Sequence, residues 1–186
     1  MLDTVKRRVN GLDLEELGEV VEGIQEDAGK AKVSFDVTTR WQGQTRSETT
    51  VDGFTLAGER IPRSHKIVAD EPCELLGSDD APNPQELLMA AANACMTVGY
   101  VAGAALKGIT LDSLEIRTTG TLDLRGFLGI DDSVPPGYEA IDYEVRISGN
   151  GTPEQFEEIH EAVMKTSPNY FNLNRPIRMN GVLQVA

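Results

Sequence analysis

Apolar residues recur along the chain in two rhythms, and each rhythm predicts an element. Between Asp13 and Lys30, Leu14, Leu17, Val20, Val21 and Ile24 stand at helical spacing with acids on the other face. That predicts an amphipathic surface helix ending near Gly29. From Lys32 the period shifts towards two: Val33, Phe35 and Val37 alternate with polar residues, and Trp41 to Gln44 supplies a turn. A second strand is predicted over 46–51, a hairpin at Asp52-Gly53 before Phe54 to Leu56, and a short strand over 65–69.

The segment from Asn83 to Gly108 departs from both rhythms, because it holds no charged side chain from Leu87 to Leu106. Asn83 suits an N-cap, Pro84 the first helical position and Glu86 the return arm of a capping box, while Lys107-Gly108 is a stop signal. A helix apolar all round is expected to be buried. Gly99 and Gly103, set among alanines, would let another helix pack closely there. The preceding stretch, DEPCELLGSDDAPNP, carries three prolines and reads as a loop.

Beyond Gly108 a long strand is predicted over 111–124, then a loop over 126–137 that is unusually apolar at Phe127, Leu128 and Ile130. A strand follows over 138–148, with Ile141, Tyr143, Val145 and Ile147 on one face. Thr152-Pro153-Glu154-Gln155 is a capping box, and Phe156, Ile159 and Val163 are the stripe of its helix. Pro168 disfavours helix at Ser167, so Ser167 either ends that helix or caps a new one. A terminal strand is predicted over 177–186. Strands, buried helix, strands, helix and strand make an α+β layout.

Composition narrows the function. With 186 residues, 40% hydrophobic and 25% charged, the chain has ordinary globular values. A net charge of −13 argues against a nucleic-acid partner, which needs clustered Lys and Arg. The N-terminal residues lack the apolar run of a secretory signal. The Gly- and Ala-rich middle of the central helix is weakly hydrophobic for a membrane span. The two cysteines, Cys73 and Cys95, suit a reducing cytoplasm, and no Cys/His cluster has metal-ligand spacing. No metal or cofactor is expected. His65 and His160 have no Ser or Cys partner evident in sequence.

PNPQELLMAAANACM resembles the central-helix signature of the OsmC/Ohr superfamily, the osmotically inducible and organic-hydroperoxide-resistance proteins. IVADEPCELLGSDDAPNP resembles the lead-in of its OsmC-like branches. The resemblance spans about residues 31–186 and leaves 1–30 as an N-terminal helical extension. It implies an OsmC-like fold: antiparallel sheets wrapping two central helices in an intertwined homodimer, with a thiol site at the interface. In the peroxidase members a cysteine of this helix attacks the peroxide as thiolate, and a second cysteine, in a Cys-Pro motif, resolves the sulfenic acid as a disulfide. An arginine and a glutamate activate the thiol.

Carried onto this sequence, Cys95 matches the attacking cysteine and Ser167 occupies the resolving position. The glutamate position falls on Gln85, with Glu86 one place on. The arginine is open among Arg40, Arg46, Arg60 and Arg63, of which Arg40 and Arg63 are taken as substrate-binding candidates. A serine cannot form a disulfide, so Cys73 or an external thiol would have to take over that step. Tyr170 and Phe171, with Phe127 and Leu128, are candidate walls for a small apolar peroxide, or equally dimer core. The residues alone read otherwise: Cys95 as an inert core thiol, Glu86 as a cap and Ser167 as a helix-terminus residue. The alternative function is a non-catalytic binding or structural dimer that keeps the fold.

Overall fold

A computed structural model describes residues 8–185, in two compact units divided between Ala90 and Ala91, inside the central helix. In the first unit, strands β1 (Arg8–Val9) and β2 (Leu12–Asp13) pair antiparallel across Asn10 and Gly11, both at positive φ. Asp13 then caps α1 (Leu14–Glu26), its carboxylate accepting from the amides of Glu15 and Glu16 at 3.1 and 3.2 Å. The helix stops at Glu26, short of Gly29, because Asp27 turns its carboxylate onto the Gly29 amide and starts a 3-10 turn over Ala28–Ala31.

The remainder of this unit is a four-stranded antiparallel sheet of β3 (Val33–Phe35), β4 (Thr38–Trp41), β5 (Ser47–Leu56) and β6 (Glu59–Ala69). β3 and β4 pair with successive parts of β5, and β6 runs along its length. The hairpin is not at Asp52-Gly53: β5 passes straight through, and the register slips there, with Val51 opposite His65 and Gly53 opposite Pro62. A bulge suits this place because Pro62 has no amide to give the ladder. The turn comes at Ala57-Gly58, whose φ values of 51° and 85° supply the two positive-φ positions that a tight hairpin requires.

The central helix α2 (Pro84–Leu106) starts as its residues dictate. Asn83 Oδ1 accepts from the Gln85 and Glu86 amides at 3.0 and 2.9 Å, and Glu86 returns its carboxylate to the Asn83 amide at 2.9 Å. At the other end Gly108, with φ 70°, carries the chain out of the helix, and the Ile109 amide bonds back to Ala104.

In the second unit α2 is followed by β7 (Leu111–Gly120), α3 (Leu124–Phe127), β8 (Ile141–Gly149), α4 (Pro153–Thr166) and α5 (Pro168–Asn174). β7 and β8 pair antiparallel. Tyr143, Val145 and Ile147 turn from β8 towards a core of Met96, Tyr100, Ala104, Ile109, Ile159 and Val163. α4 lies close on α2 because the latter offers glycine. A Cβ on Gly99 would stand 3.0 Å from Val163, and one on Gly103 would stand 3.1 Å from Ile159. The helix contact anticipated at this pair is therefore made with α4.

Three sequence expectations fail here. β7 ends at Gly120, so Leu122 and Leu124 are outside it. The Tyr138 ring fills the place of a Gly120 side chain, and Asp123 caps α3 through the Arg125 amide. α2 is not buried all round. Ala92, Met96, Tyr100 and Ala104 are buried at every fourth position, whereas Val98 and Leu106 are 69% and 68% exposed. One layer of helix and sheet covers one face of a helix. The terminal strand does not form either: residues 176–185 have no strand partner among the described residues, and Val182 and Leu183 stand exposed. A strand is stable only against a neighbour. Ala186, the last residue of that expected strand, lies outside the described residues.

Candidate functional site

The end of α4 and the start of α5 bring Ser167 to the middle of α2. Ser167 does both things its sequence allowed. Its amide donates to Val163 and closes α4, while its hydroxyl accepts from the Tyr170 amide at 3.4 Å and caps α5. The same hydroxyl donates to Cys95 Sγ at 3.4 Å. Ser167 is only 5% exposed, whereas Cys95 is half-buried and carries no disulfide. The pair thus joins a fixed, dehydrated donor to a sulfur that solvent can reach.

The Ser167 hydroxyl cannot supply a second sulfur, so an oxidised Cys95 has no resolving partner at residue 167.

Residues around this pair hold the turn in place. Asn169 donates through Nδ2 to the Ala91 carbonyl of α2 at 2.9 Å. Asn93 accepts from the Thr118 hydroxyl at 2.6 Å and donates to the Ile116 carbonyl at 3.2 Å, tying α2 to β7. Tyr170 packs edge-on against Tyr143, against the margin of the core. Phe171 is half exposed, with the Arg175 guanidinium over its ring. Phe127, the last residue of α3, and Leu128, its C-cap, are exposed.

The other expected site residues belong to residues 1–90. Glu86 is engaged as the arm of the capping box, and Gln85 gives its amide to the same cap. Cys73 is an exposed free thiol in a 3-10 turn, Cys73–Leu75. Arg40 sits opposite Glu48 in the β4–β5 pair, and Arg63 lies over the Phe54 ring. The structure therefore brings Cys95 and Ser167 together, with Tyr170 beside them in the same turn.

Sequence reasoning missed Asn169 and the pair of Tyr100 with His160. Tyr100 is 1% exposed, and burial first, then the nearby Tyr143, pushes its phenol up to about 12. It stays protonated at neutral pH and shares a hydrogen bond with His160 Nδ1. His160 thus has its partner 60 residues away, where no local pattern could announce it. Tyr100 and His160 border a cavity of about 750 Å³ between β8 and α4, whose other walls include Tyr143 and Phe156; neither Cys95 nor Ser167 lines it. Among the described residues no group of three or more His, Cys, Asp or Glu side chains could hold a metal ion.

Residues 77–180 match the family model for OsmC-like proteins. No curated protein sequence matches the chain. Among solved structures, an OsmC-like protein of Mycoplasma pneumoniae is 19% identical, with 76% of this chain and 87% of that one covered and a TM-score of 0.57. An OsmC-like protein of unknown function from Vibrio cholerae is 15% identical, over 74% and 92%, with a TM-score of 0.55. The organic hydroperoxide resistance protein OhrB of Bacillus subtilis is 19% identical over 74% and 88%, at a TM-score of 0.45.

Proposed function

The chain belongs to the OsmC family, and from that premise we propose that it reduces organic hydroperoxides through Cys95, using an external thiol in place of a second cysteine. One observation carries this reading: the buried Ser167 hydroxyl donates to the half-buried Cys95 sulfur. The Cys95 thiolate attacks one oxygen of the peroxide, the O–O bond breaks, and the departing alkoxide takes up a proton as alcohol. This leaves Cys95 as a sulfenic acid. A small thiol condenses with it, releasing water and forming a mixed disulfide. A second thiol attacks that bond, restoring Cys95 and leaving as the small disulfide.

The proposal includes a homodimer. The exposed faces of Val98 and Leu106 and the segment 176–185, which has no strand partner among the described residues, fit this reading. A partner would also supply the missing walls beside Cys95, where Arg40, Arg63, Phe171 and Gln85 are the candidates to place. By length and composition alone α2 is long and apolar enough to cross a membrane. It lies wholly within the family match, so we read it as the core helix of a soluble, cytoplasmic protein.

Consumption of cumene hydroperoxide with dithiothreitol, followed by stopped flow for the wild type and Cys95→Ser, tests the chemistry. Turnover that vanishes in the variant supports it. No thiol-dependent turnover in the wild type, or turnover unchanged by the substitution, rejects it. Gln85, standing where the family has glutamate, favours the second reading, a binding dimer without peroxidase activity, and the same rejection would point to it. A monomer in sedimentation at micromolar concentration would reject the dimer.

A further inference from the structure

We propose that Asn169 is a positioning residue for the Cys95 site and acts through Ser167. The proposal rests on the thiol reading above for its consequence in turnover, while its direct test needs no peroxide. Asn169 Nδ2 donates to the Ala91 carbonyl at 2.9 Å. Ala91 precedes Cys95 by four residues in α2, so the carbonyl it offers is the one that also accepts the Cys95 amide in the helix ladder. A carbonyl has two lone pairs and can serve both donors. Asn169 thus grips α2 at the turn that carries the thiol.

Ser167 and Asn169 flank Pro168, whose ring fixes φ and stiffens the turn between them. The hydroxyl of Ser167 reaches sulfur at 3.4 Å, and a hydrogen bond to sulfur is weak. It would not by itself hold a helix start in register. The amide-to-carbonyl bond of Asn169 is the stronger of the two side-chain ties from this turn to α2, and Pro168 transmits it to Ser167. Nothing in the local sequence pattern marks Asn169 beyond its place after the Ser-Pro pair.

The test is the rate of Cys95 alkylation by iodoacetamide in the intact protein carrying Cys73→Ser, so that one thiol reports. Asn169→Ala should slow alkylation at pH 7 about threefold, as loss of the Ser167 hydrogen bond to the sulfur requires. Asn169→Asp keeps the volume but cannot donate to a carbonyl, and should do at least as much; it serves if the alanine variant does not fold. Ser167→Ala should have a comparable effect, and adding Asn169→Ala to it should change the rate by less than about 1.5-fold, because a residue acting through Ser167 is silent without it. Equal slowing by Asn169→Ala with and without Ser167, or no slowing in the presence of Ser167, overturns the proposal. If alkylation follows this cycle while no hydroperoxide is consumed, the positioning role stands and the peroxidase reading falls.

Discussion

Two buried polar groups, one in each unit, put similar chemistry to opposite ends. Asp70, 1% exposed, closes the loop before α2. Its carboxylate accepts from the Thr45 hydroxyl at 2.7 Å and from the amides of Glu71 and Ser78 at 2.9 and 3.1 Å. Ser167 is nearly as buried, but its hydroxyl points to a sulfur that remains half open. Asp70 is surrounded by donors on both oxygens and has nothing left to react. The Cys95–Ser167 pair keeps one atom available. Burial alone does not tell these two arrangements apart; the separating feature is whether a member of the pair still faces solvent.

The comparison can be broken most sharply at its open member. Cys95→Ser should abolish thiol-dependent hydroperoxide consumption, measured by stopped flow, without loss of the fold, since only one atom changes. On the inert side, Gly77→Ala should cost more than about 3 kcal/mol in urea unfolding, because its Cβ would lie 1.6 Å from the Glu71 carbonyl oxygen.

Asp70→Asn should cost about 1–3 kcal/mol and change the acid limb. The Thr45 hydroxyl, followed by the amides around it, holds the Asp70 carboxyl below the usual carboxylate range. Its stabilisation is therefore present above the unfolded value near about 3.9 and is lost as pH falls through the lower folded value. Urea unfolding from pH 7 down to 3 should show a shallower loss in the asparagine variant; parallel curves would mean that Asp70 is not the group titrating.

Ser167→Cys sharpens the contrast further. Mass spectrometry after one equivalent of peroxide should find an internal disulfide with Cys95, because the donor already stands 3.4 Å from the sulfur and needs only a small approach to bond. The smallest effect is expected from Cys73→Ser, which should leave hydroperoxide turnover with dithiothreitol unchanged. A clear loss would make Cys73 the resolving thiol and remove the need for an external one.

Much of the fold was legible because its signals are local. The Asn83 and Thr152 capping boxes and the alternation of β8 all need only neighbours in sequence. Asp52-Gly53 misled because its turn chemistry serves equally in a bulge, and Ala57-Gly58 is a weaker signal for the actual hairpin. The missing strand at 177–185 and the open face of α2 have another cause. Alternation and apolarity state what a segment would bury, not whether one chain supplies the cover. At the site, Cys95 and Ser167 were legible through the family pattern. Asn169 and the Tyr100–His160 pair were not, since each is joined to its partner only when α4 and α5 fold back on α2.

The glycines of α2 also set a ruler. Gly103 meets Ile159 and Gly99 meets Val163, and one more step of four residues along each helix, in opposite directions, gives Cys95 and Ser167. The Cys95–Ser167 pair is the third rung of a packing ladder whose first two rungs are shape alone. A single residue inserted in α4 between Val163 and Ser167 would turn the hydroxyl by about 100° and silence the site while leaving every chemical group in place. Alignment at Cys95 is thus inherited from the closeness of two helices, set by residues that have no functional group at all.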